Sequence, residues 1–293
     1  MEANLRWVAV TALAPVAWGT NYFVTQHFLP AGYPLHGAAI RALPAGLLLL
    51  LAARRLPRGA WWWKSMVLGT LNMSAFFALV YVAAQLLPTG IASMVMSTSP
   101  VVMMLLAWPM LSERPRVPHL AGAGIGAAGA CLMLLSGAAA VDALGVLASA
   151  GAMVMSSLGA VLAKRWSPDA DVLSTTSWQL IAGGVVLAPF AVAVEGPLPE
   201  LETSAVLGFA YVSVVATALA FTAWFAGLRR LRSGTVGLVG LLNPATGVLL
   251  GTAVAGEVLT AQQLCGLVLV LLGILLGGPR RAAGPILRRG PRR

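Results

Sequence analysis

The stretch GIASMVMSTSPVVMMLLAWPMLSERPRVPHLAGAGIGAAGACL, residues 90–132, returns as GTVGLVGLLNPATGVLLGTAVAGEVLTAQQLCGLVLVLLGILL, residues 234–276. The displacement is 144 positions and no gap is needed. The identical positions are Gly90 and Gly234, Val95 and Val239, Pro100 and Pro244, Leu105-Leu106 and Leu249-Leu250, Glu113 and Glu257, Leu120 and Leu264, Gly122 and Gly266, Gly129 and Gly273, and Leu132 and Leu276. Each copy is predicted to be two apolar helices with a glutamate at the joint. Because an internal sequence repeat indicates a repeated structural unit, we expect the chain to fold as two related halves.

The composition predicts a polytopic membrane protein. Of the 293 residues, 59% are hydrophobic and only 10% are charged, whereas a soluble domain has about 25% charged residues. So few charges cannot cover a surface that faces water. Cys131 and Cys265 both lie in apolar runs without metal-ligand spacing, which favours packing over a disulfide framework or a metal site.

Ten apolar runs are each near the ~20 residues that are needed to cross the hydrocarbon core of a bilayer. The predicted helices cover residues 5–26, 35–53, 63–86, 89–111, 118–136, 143–164, 173–194, 204–228, 234–255 and 260–277.

The charged residues orient these helices. Apart from Arg41, every arginine and lysine falls in the connections on one side or in the two terminal segments of that side. Cytoplasmic loops are the ones enriched in these residues, so both termini are predicted to be cytoplasmic. The basic residues of that side are Arg6, Arg54, Arg55, Arg58, Lys64, Arg114, Arg116, Lys164, Arg165, Arg229, Arg230, Arg232, Arg280, Arg281, Arg288, Arg289, Arg292 and Arg293. The opposite connections carry Asp142, Glu195, Glu200, Glu202 and Glu257 instead.

The predicted fold class is an all-α membrane protein with ten transmembrane helices, arranged as two inverted five-helix repeats around a central cavity. Five helices per half is an odd number, so the second copy is inverted relative to the first. Inverted repeats are typical of transporters that bind substrate near mid-membrane. The first repeat is predicted to cover residues 1–136 and the second residues 137–278. Residues 279–293 form a basic tail that is predicted to be disordered and to contact anionic lipid.

Two prolines, Pro100 and Pro244, lie at symmetry-related depths beside the polar residues Ser99 and Asn243. A proline removes a backbone donor from its helix. In lipid, the freed group must be satisfied elsewhere or must face a wet cavity. We interpret these prolines as hinges beside a cavity; the alternative is a pair of kinks that only shape packing.

Arg41 is the charged residue that lies well inside a predicted span. Intramembrane charge usually faces the protein interior or water, so Arg41 is a candidate for holding a substrate carboxylate or carbonyl. The alternative is a side chain that snorkels outward or ties helix ends together, and the sequence favours neither.

Further polar and aromatic residues within the spans are candidates for lining the cavity. Amides in lipid need partners and therefore face inward, but a tie between two helices explains any one of them as well as a ligand contact does. These candidates are Trp18, Asn21, Tyr22, Asn72, Tyr81, Ser97, Ser99, Ser156, Trp178, Gln179, Trp224 and Asn243.

Two further roles are structural. The glycines Gly122, Gly124, Gly126 and Gly129, together with Gly266 and Gly273, are expected to let helix backbones approach closely. Glu113 and Glu257 are each expected to lead the next helix, where a carboxylate favours the positive N-terminal dipole.

These features resemble the EamA-type members of the drug/metabolite transporter superfamily, over about residues 8–136 and 143–277. The segment Trp18-Gly19-Thr20-Asn21-Tyr22 is similar to the family's first-helix motif, and Arg41 stands where the family often has an arginine. Pro100, Glu113, Gly122 and Gly129, with their counterparts 144 positions later, resemble the ends of the two family repeats. The resemblance implies a ten-helix basket that moves metabolites such as amino acids, often outward. Ser156 departs from it, because the family often has a tryptophan there.

We therefore predict a secondary transporter of the cell inner membrane that exports small amino-acid-like or amphipathic solutes by alternating access. A facilitator or exchanger for drugs or other metabolites is the alternative. An intramembrane enzyme or a sensor is disfavoured, because the spans contain no His-Glu-x-x-His motif and no loop is long enough for an effector domain. The expected partners are the bilayer and a small-molecule substrate, without nucleic acid, cofactor or metal, and a homodimer is left open.

Overall fold

The structure is a computed structural model that describes residues 2–30, 32–87, 95–134, 142–167, 169–198, 200–255 and 260–277. These residues form helices and connections, with no strand among them. The α-helices are α1 (Glu2–Phe28), α2 (Pro34–Ala53), α3 (Trp61–Gly69), α4 (Ala75–Leu86), α5 (Ser99–Leu111), α6 (Val117–Leu134), α7 (Ala143–Trp166), α8 (Val172–Glu195), α9 (Thr203–Ser213), α10 (Ala220–Arg230), α11 (Ser233–Gly240), α12 (Leu242–Ala255) and α13 (Ala261–Gly277).

Two π-helical turns interrupt longer helices. The first, π1 (Thr70–Ser74), joins α3 to α4, and the second, π2 (Val214–Leu219), joins α9 to α10. Their first residues, 70 and 214, are separated by 144 positions, which is also the displacement of the sequence repeat. Single π-turns inside α-helices occur frequently at functional sites.

The membrane character follows from the helices themselves. Among the described residues, six helical segments are long and apolar enough to cross a membrane, and three shorter apolar helices accompany them. The six are Pro34–Ala53, Trp61–Ala83, Ala143–Trp166, Val172–Glu195, Thr203–Arg230 and Ser233–Leu250. Residues 89–94 and 135–136 of the predicted spans, Glu257, and the tail 279–293 lie outside the described residues.

A helix break lies beside each of Pro100 and Pro244, and the hinge role of these prolines stays a prediction. A turn at Thr98 separates the helical residues 95–97 from α5, which begins at Ser99-Pro100. Another turn at Leu241 separates α11 from α12, which contains Asn243-Pro244. A proline has no N–H with which to continue the preceding hydrogen-bond ladder, which favours a break at these two positions, whereas Pro15, Pro44, Pro109 and Pro189 lie inside continuous helices.

Carboxylates fix the starts of several helices. Asp142 accepts a hydrogen bond from the Gly145 N–H at the start of α7. Glu195, at the end of α8, accepts the N–H groups of Leu35 and His36 at 2.7 and 2.9 Å and therefore caps α2. These contacts satisfy backbone donors that the first turn of a helix leaves unpaired.

Glycines let α6 pack directly along α13, as predicted. A Cβ atom on Gly129 would lie 2.6 Å from the carbonyl oxygen of Gly266, and one on Gly273 would lie 2.5 Å from the carbonyl oxygen of Gly122. Any larger residue would force the helices apart. Gly124 is the exception, because a Cβ there would meet no atom within 4 Å.

Contacts bring the arginine-rich connections to one end of the helix bundle, which we call the basic end. It comprises the described residues 54–58, 112–116, 164–167, 169–170 and 229–232. The contacts that join them are Trp178 Nε1 to the Arg55 carbonyl, Arg229 to the Ala170 carbonyl, Arg232 to the Arg114 carbonyl, and Lys164 to Glu113. The one-sided charge distribution therefore corresponds to one end of the bundle.

Candidate functional site

The carbonyl of Ala216 lies in π2, near the middle of the helical segment Thr203–Arg230. In an α-helix this carbonyl would accept the N–H of Ala220, four residues on. Here the Ala220 N–H bonds to the carbonyls of Thr217 and Val215 instead. The π-turn therefore releases the Ala216 carbonyl from its regular helical partner and makes it available to side chains from other helices.

Two side chains from the first half of the chain occupy that carbonyl. Trp18 Nε1 on α1 and Arg41 Nη2 on α2 each donate to the Ala216 oxygen at 3.1 Å. Arg41 Nε also donates to Thr217 Oγ1 at 2.9 Å. We call Trp18, Arg41, Ala216 and Thr217 the π2 node, because they join the first two helices to the second π-turn.

Aromatic rings surround the π2 node. The ring of Trp18 lies 5.1 Å from that of Phe221 and 5.2 Å from that of Trp224. The guanidinium carbon of Arg41 lies 5.4 Å from the centre of the Phe77 ring, which is within the range of a cation–π contact. The structure thus brings the predicted residues Trp18, Arg41 and Trp224 into one cluster.

The charge of Arg41 is buried and has no carboxylate partner among the described residues. Its side chain is largely enclosed, since the residue is only 9% exposed, and the ion pairs of the described chain involve other residues. A buried charge is costly unless it is paired or hydrogen-bonded. The Ala216 carbonyl, the Thr217 hydroxyl and the face of the Phe77 ring partly compensate this charge. The carbonyl and the hydroxyl accept hydrogen bonds from two of the five guanidinium N–H groups.

The segment 18–22 contacts the second half of the chain through successive residues. A Cβ on Gly19 would lie 2.8 Å from the Asn243 carbonyl oxygen, so only glycine allows α1 to cross α12 this closely. Thr20 Oγ1 and the Tyr211 hydroxyl are hydrogen-bonded at 2.6 Å. The side chain of Tyr22 lies outside the described part of the chain.

Asn21 and Asn243 remain unsatisfied beside this crossing. Their Oδ1 atoms are buried and have no hydrogen-bond partner among the described residues. A buried acceptor without a donor is rare and calls for a physical account. The two amides therefore present acceptors for a donor group that the described chain does not supply.

Asn72 and Gln179 form a different pair. Asn72 Nδ2, in π1, donates to Gln179 Oε1 on α8 at 2.9 Å, and both residues are buried. Gly159 on α7 packs against the Asn72 amide, so closely that no side chain would fit there. The geometry of this pair is that of a tie between three helices, with the amides directed at each other.

Other predicted cavity residues lie apart from the π2 node. Trp178 donates to the Arg55 carbonyl at 2.8 Å, and its ring lies 5.4 Å from that of Trp61, tilted by 57°, at the basic end. Tyr81 packs with the apolar cluster of Leu35 and Leu187 at the other end of α2. Of the predicted serines, Ser97 is buried, whereas Ser99 and Ser156 are half-buried.

Glu113 has a structural role, but not at the helix predicted for it. One carboxylate oxygen lies 2.6 Å from Lys164 Nζ, and the other accepts the Ser233 N–H at 2.7 Å. Glu113 therefore caps α11, which begins at Ser233, rather than leading α6. The prediction failed because the sequence cannot show that a helix start 120 positions later lies closer in space than the next helix in the chain.

Comparison with known proteins identifies the family. The model of the EamA-like transporter family matches residues 5–135 and, in a second copy, residues 143–277. The chain belongs to the EamA-like transporter family. It is thus an EamA-type member of the drug/metabolite transporter superfamily, as the sequence motifs indicated.

Several curated relatives of this EamA chain match nearly end to end. It is 37% identical over 266 residues to Protein PecM of Dickeya dadantii (strain 3937), which covers 90% of this chain and 89% of that protein. It is 27% identical to a probable amino-acid metabolite efflux pump of Salmonella typhimurium (strain LT2), over 90% of this chain and 92% of that protein. It is 26% identical to the uncharacterized inner membrane transporter YedA of Escherichia coli (strain K12), over 89% of this chain and 87% of that protein.

A solved crystal structure has the same fold. It superposes with a TM-score of 0.82 over 93% of this chain and 96% of that chain, at 21% sequence identity. This likeness concerns the fold alone. The family match and the apolar helices make the EamA chain a multi-pass membrane protein of the transporter class.

Sequence reasoning missed three residues of this EamA protein's candidate site. Ala216 carries the carbonyl acceptor of the π2 node, Phe221 packs on Trp18, and Tyr211 bonds Thr20. Thr217, which carries the other acceptor, is recognisable in the sequence as a polar residue within an apolar span. Nothing in an alanine predicts a freed carbonyl. Phe221 had a signal, because it lies 144 positions after Phe77, the ring that contacts Arg41.

Proposed function

We propose that this protein is a secondary transporter that exports small organic solutes, amino-acid-like or amphipathic, by alternating access. Two inverted five-helix halves, residues 1–136 and 137–278, would rock against each other across a central site. The two copies of the family model support this division. So does the shared displacement of 144 positions between the two π-turns.

The π2 node is the observation that carries the proposal. Trp18 and Arg41 belong to the first half, while Ala216 and Thr217 belong to the second, so the node spans the interface that must rearrange. Interrupted helices and freed carbonyls at mid-membrane are where transporters bind substrate. A solute that engages Arg41 would compete with the hydrogen bonds that join the two halves, which would link binding to movement.

The hydrogen-bonding groups that have no partner in the described residues support the proposed substrate class. Arg41 retains N–H groups suited to a carboxylate or carbonyl, and the Oδ1 atoms of Asn21 and Asn243 accept hydrogen bonds. Rings of Trp18, Phe221 and Trp224 provide an apolar wall. A small zwitterion or amphipathic metabolite offers all three complementary groups. The Salmonella relative's name, a probable amino-acid metabolite efflux pump, supports the same class.

The orientation proposal places the basic end in the cytoplasm of an inner (plasma) membrane, with both termini on that side. Reporter fusions after each predicted span should alternate between the two compartments. A C-terminus outside the cytoplasm would refute the inverted arrangement.

The experiment that tests the function is a substrate screen. Purified protein is reconstituted in liposomes, and radiolabelled amino acids, their derivatives and other amphipathic metabolites are offered one at a time. We expect saturable uptake for a limited set of solutes, and uptake that is at least about tenfold slower, or abolished, in liposomes containing the Arg41→Ala variant. Failure of every small solute, with folded protein in the vesicles, would reject the proposal. A facilitator or exchanger for drugs is the alternative, and uptake confined to cationic drugs would favour it.

A further inference from the structure

A cleft at the basic end, remote from the π2 node, has the composition of an anion site. It opens to solvent and is lined by Met104, Ala107, Glu113, Arg114, Pro115, Arg116, His119, Arg232 and Gly234. Three arginines and one glutamate are thus among its lining residues. Both carboxylate oxygens of that glutamate are already engaged, one by Lys164 and the other by the Ser233 N–H. The cleft therefore keeps an uncompensated positive charge.

The backbone around the cleft adds to its positive potential. α6 begins at Val117 and α11 begins at Ser233, so two helix N-termini lie at its edge. The positive ends of helix dipoles favour anions. Gly234 lines the cleft, and a Cβ there would lie 2.6 Å from the side chain of Met104 on α5, so any larger residue at 234 would have to displace that side chain.

The arginines are arranged by contacts across the two halves. Arg232, which precedes α11, donates from Nη2 to the Arg114 carbonyl oxygen at 2.6 Å. The Arg116 carbonyl accepts the N–H groups of His119 and Leu120 in the first turn of α6, while its own side chain is exposed. The backbone of the 112–116 connection is thus fixed, and the guanidinium groups of Arg114 and Arg116 are available at its surface.

The neighbourhood of the cleft is that of a membrane surface. Val117 and Leu120, on the first turns of α6, are 79% and 39% exposed, which suits contact with lipid and not with water. Basic clefts between transmembrane helices at the cytoplasmic side bind phosphate-containing headgroups. Several guanidinium forks can share the oxygens of one phosphate in bidentate hydrogen bonds.

We infer that this cleft binds a phosphate group through Arg114, Arg116 and Arg232. The phosphate belongs to the headgroup of an anionic phospholipid or to a soluble phosphate anion, and the chemistry that recognises it is the same. Because the cleft is made by the 112–116 connection of the first half and by Arg232 and Gly234 of the second, an occupant would hold the two halves together at the basic end.

The test compares two double variants of the full-length protein in a neutral detergent. Arg114→Gln/Arg116→Gln removes two charges from the cleft. Arg58→Gln/Arg165→Gln is the matched control, since it removes two exposed arginines of the same end that do not line the cleft. Thermal unfolding is followed while short-chain phosphatidylglycerol, short-chain phosphatidylcholine or sodium phosphate is titrated at constant ionic strength.

We expect phosphatidylglycerol to raise the unfolding midpoint of the wild type more than phosphatidylcholine does. The Arg114→Gln/Arg116→Gln variant should need a roughly tenfold higher phosphatidylglycerol concentration for the same rise in its unfolding midpoint, equivalent to about 1.4 kcal/mol. For the Arg58→Gln/Arg165→Gln control, the required concentration should change less than about twofold. If sodium phosphate acts like phosphatidylglycerol, the ligand is a free phosphate anion; if it has no effect, the ligand is the lipid headgroup. Equal losses in the two double variants would show only diffuse surface attraction and would overturn the proposal. So would the absence of stabilisation by either phosphate ligand in the wild type.

Discussion

Replacement of Arg41 by alanine is the perturbation that separates a substrate contact from a structural tie. In the structure Arg41 makes hydrogen bonds to the Ala216 carbonyl and to Thr217 Oγ1 and lies over the Phe77 ring. After truncation the Ala216 carbonyl still accepts a hydrogen bond from Trp18. We therefore expect Arg41→Ala protein to stay folded in the membrane.

The expected loss of transport can be sized from the contacts. A hydrogen bond to a charged group contributes about 1.5–3 kcal/mol, and each 1.4 kcal/mol changes an equilibrium or rate constant about tenfold. If a substrate carboxylate occupies the remaining guanidinium N–H groups, loss of one such contact lowers kcat/KM by about 10- to 150-fold. Loss of both contacts of a bidentate pair would abolish measurable transport.

The assay measures initial rates of uptake into liposomes at several substrate concentrations. Arg41→Lys keeps the charge but not the planar fork, so it should restore little activity. Thr217→Val is the matched control, since it removes the acceptor of Nε and leaves the guanidinium free for substrate; a loss of less than about tenfold is expected. Normal kcat/KM for Arg41→Ala would refute the reasoning and leave Arg41 as an inter-helix tie.

Three further predictions concern the helix breaks, energy coupling and a helix cap. Cysteine at Ser99 or Asn243, after replacement of both native cysteines, should react with a small polar thiol reagent and be protected by substrate; inertness at both positions would mean dry packing. An imposed pH gradient alone should not concentrate a zwitterionic substrate, because no carboxylate lies within the predicted spans; accumulation above equilibrium would contradict this. Partial burial acts to raise the pKa of Asp171, but hydrogen bonds from Ser174 and attraction to Arg55 bring that pKa below its usual value. Its capping contribution is therefore present above the unfolded-state pKa and is lost as the pH falls through the lower folded-state pKa. At neutral pH, Asp171→Ala should lower the free energy of unfolding by about 0.5–1 kcal/mol, whereas the control Asp171→Asn should change it little. An unchanged unfolding midpoint for the alanine variant would show that the cap does not stabilise the protein.

Several features were predictable because their causes are local in the sequence. The helix at residues 34–53 follows from a run that is apolar apart from His36 and Arg41, and the breaks beside Pro100 and Pro244 fit the missing N–H of proline, although Pro44 lies inside an unbroken helix. The packing of Gly129 on Gly266 follows from the absence of a side chain.

The rest depends on hydrogen-bond register and on distant neighbours. Whether Ala216 lies in an α- or a π-turn is set by the register of the backbone ladder around it, which alanine does not encode. The partner of Glu113 lies 120 positions away in α11. Trp178 lies within an apolar run like Trp18, yet it contacts Arg55 at the basic end, because the position of a residue along its helix decides its neighbours.

Counterflow tests the central claim of alternating access most directly. Liposomes that contain the protein are loaded with a high concentration of an unlabelled substrate found in the screen and diluted into a trace of the same labelled substrate. A carrier that exposes one site to each side in turn predicts a transient accumulation of label above equilibrium, which disappears in the Arg41→Ala variant. Simple equilibration of the label, without an overshoot, would contradict the account.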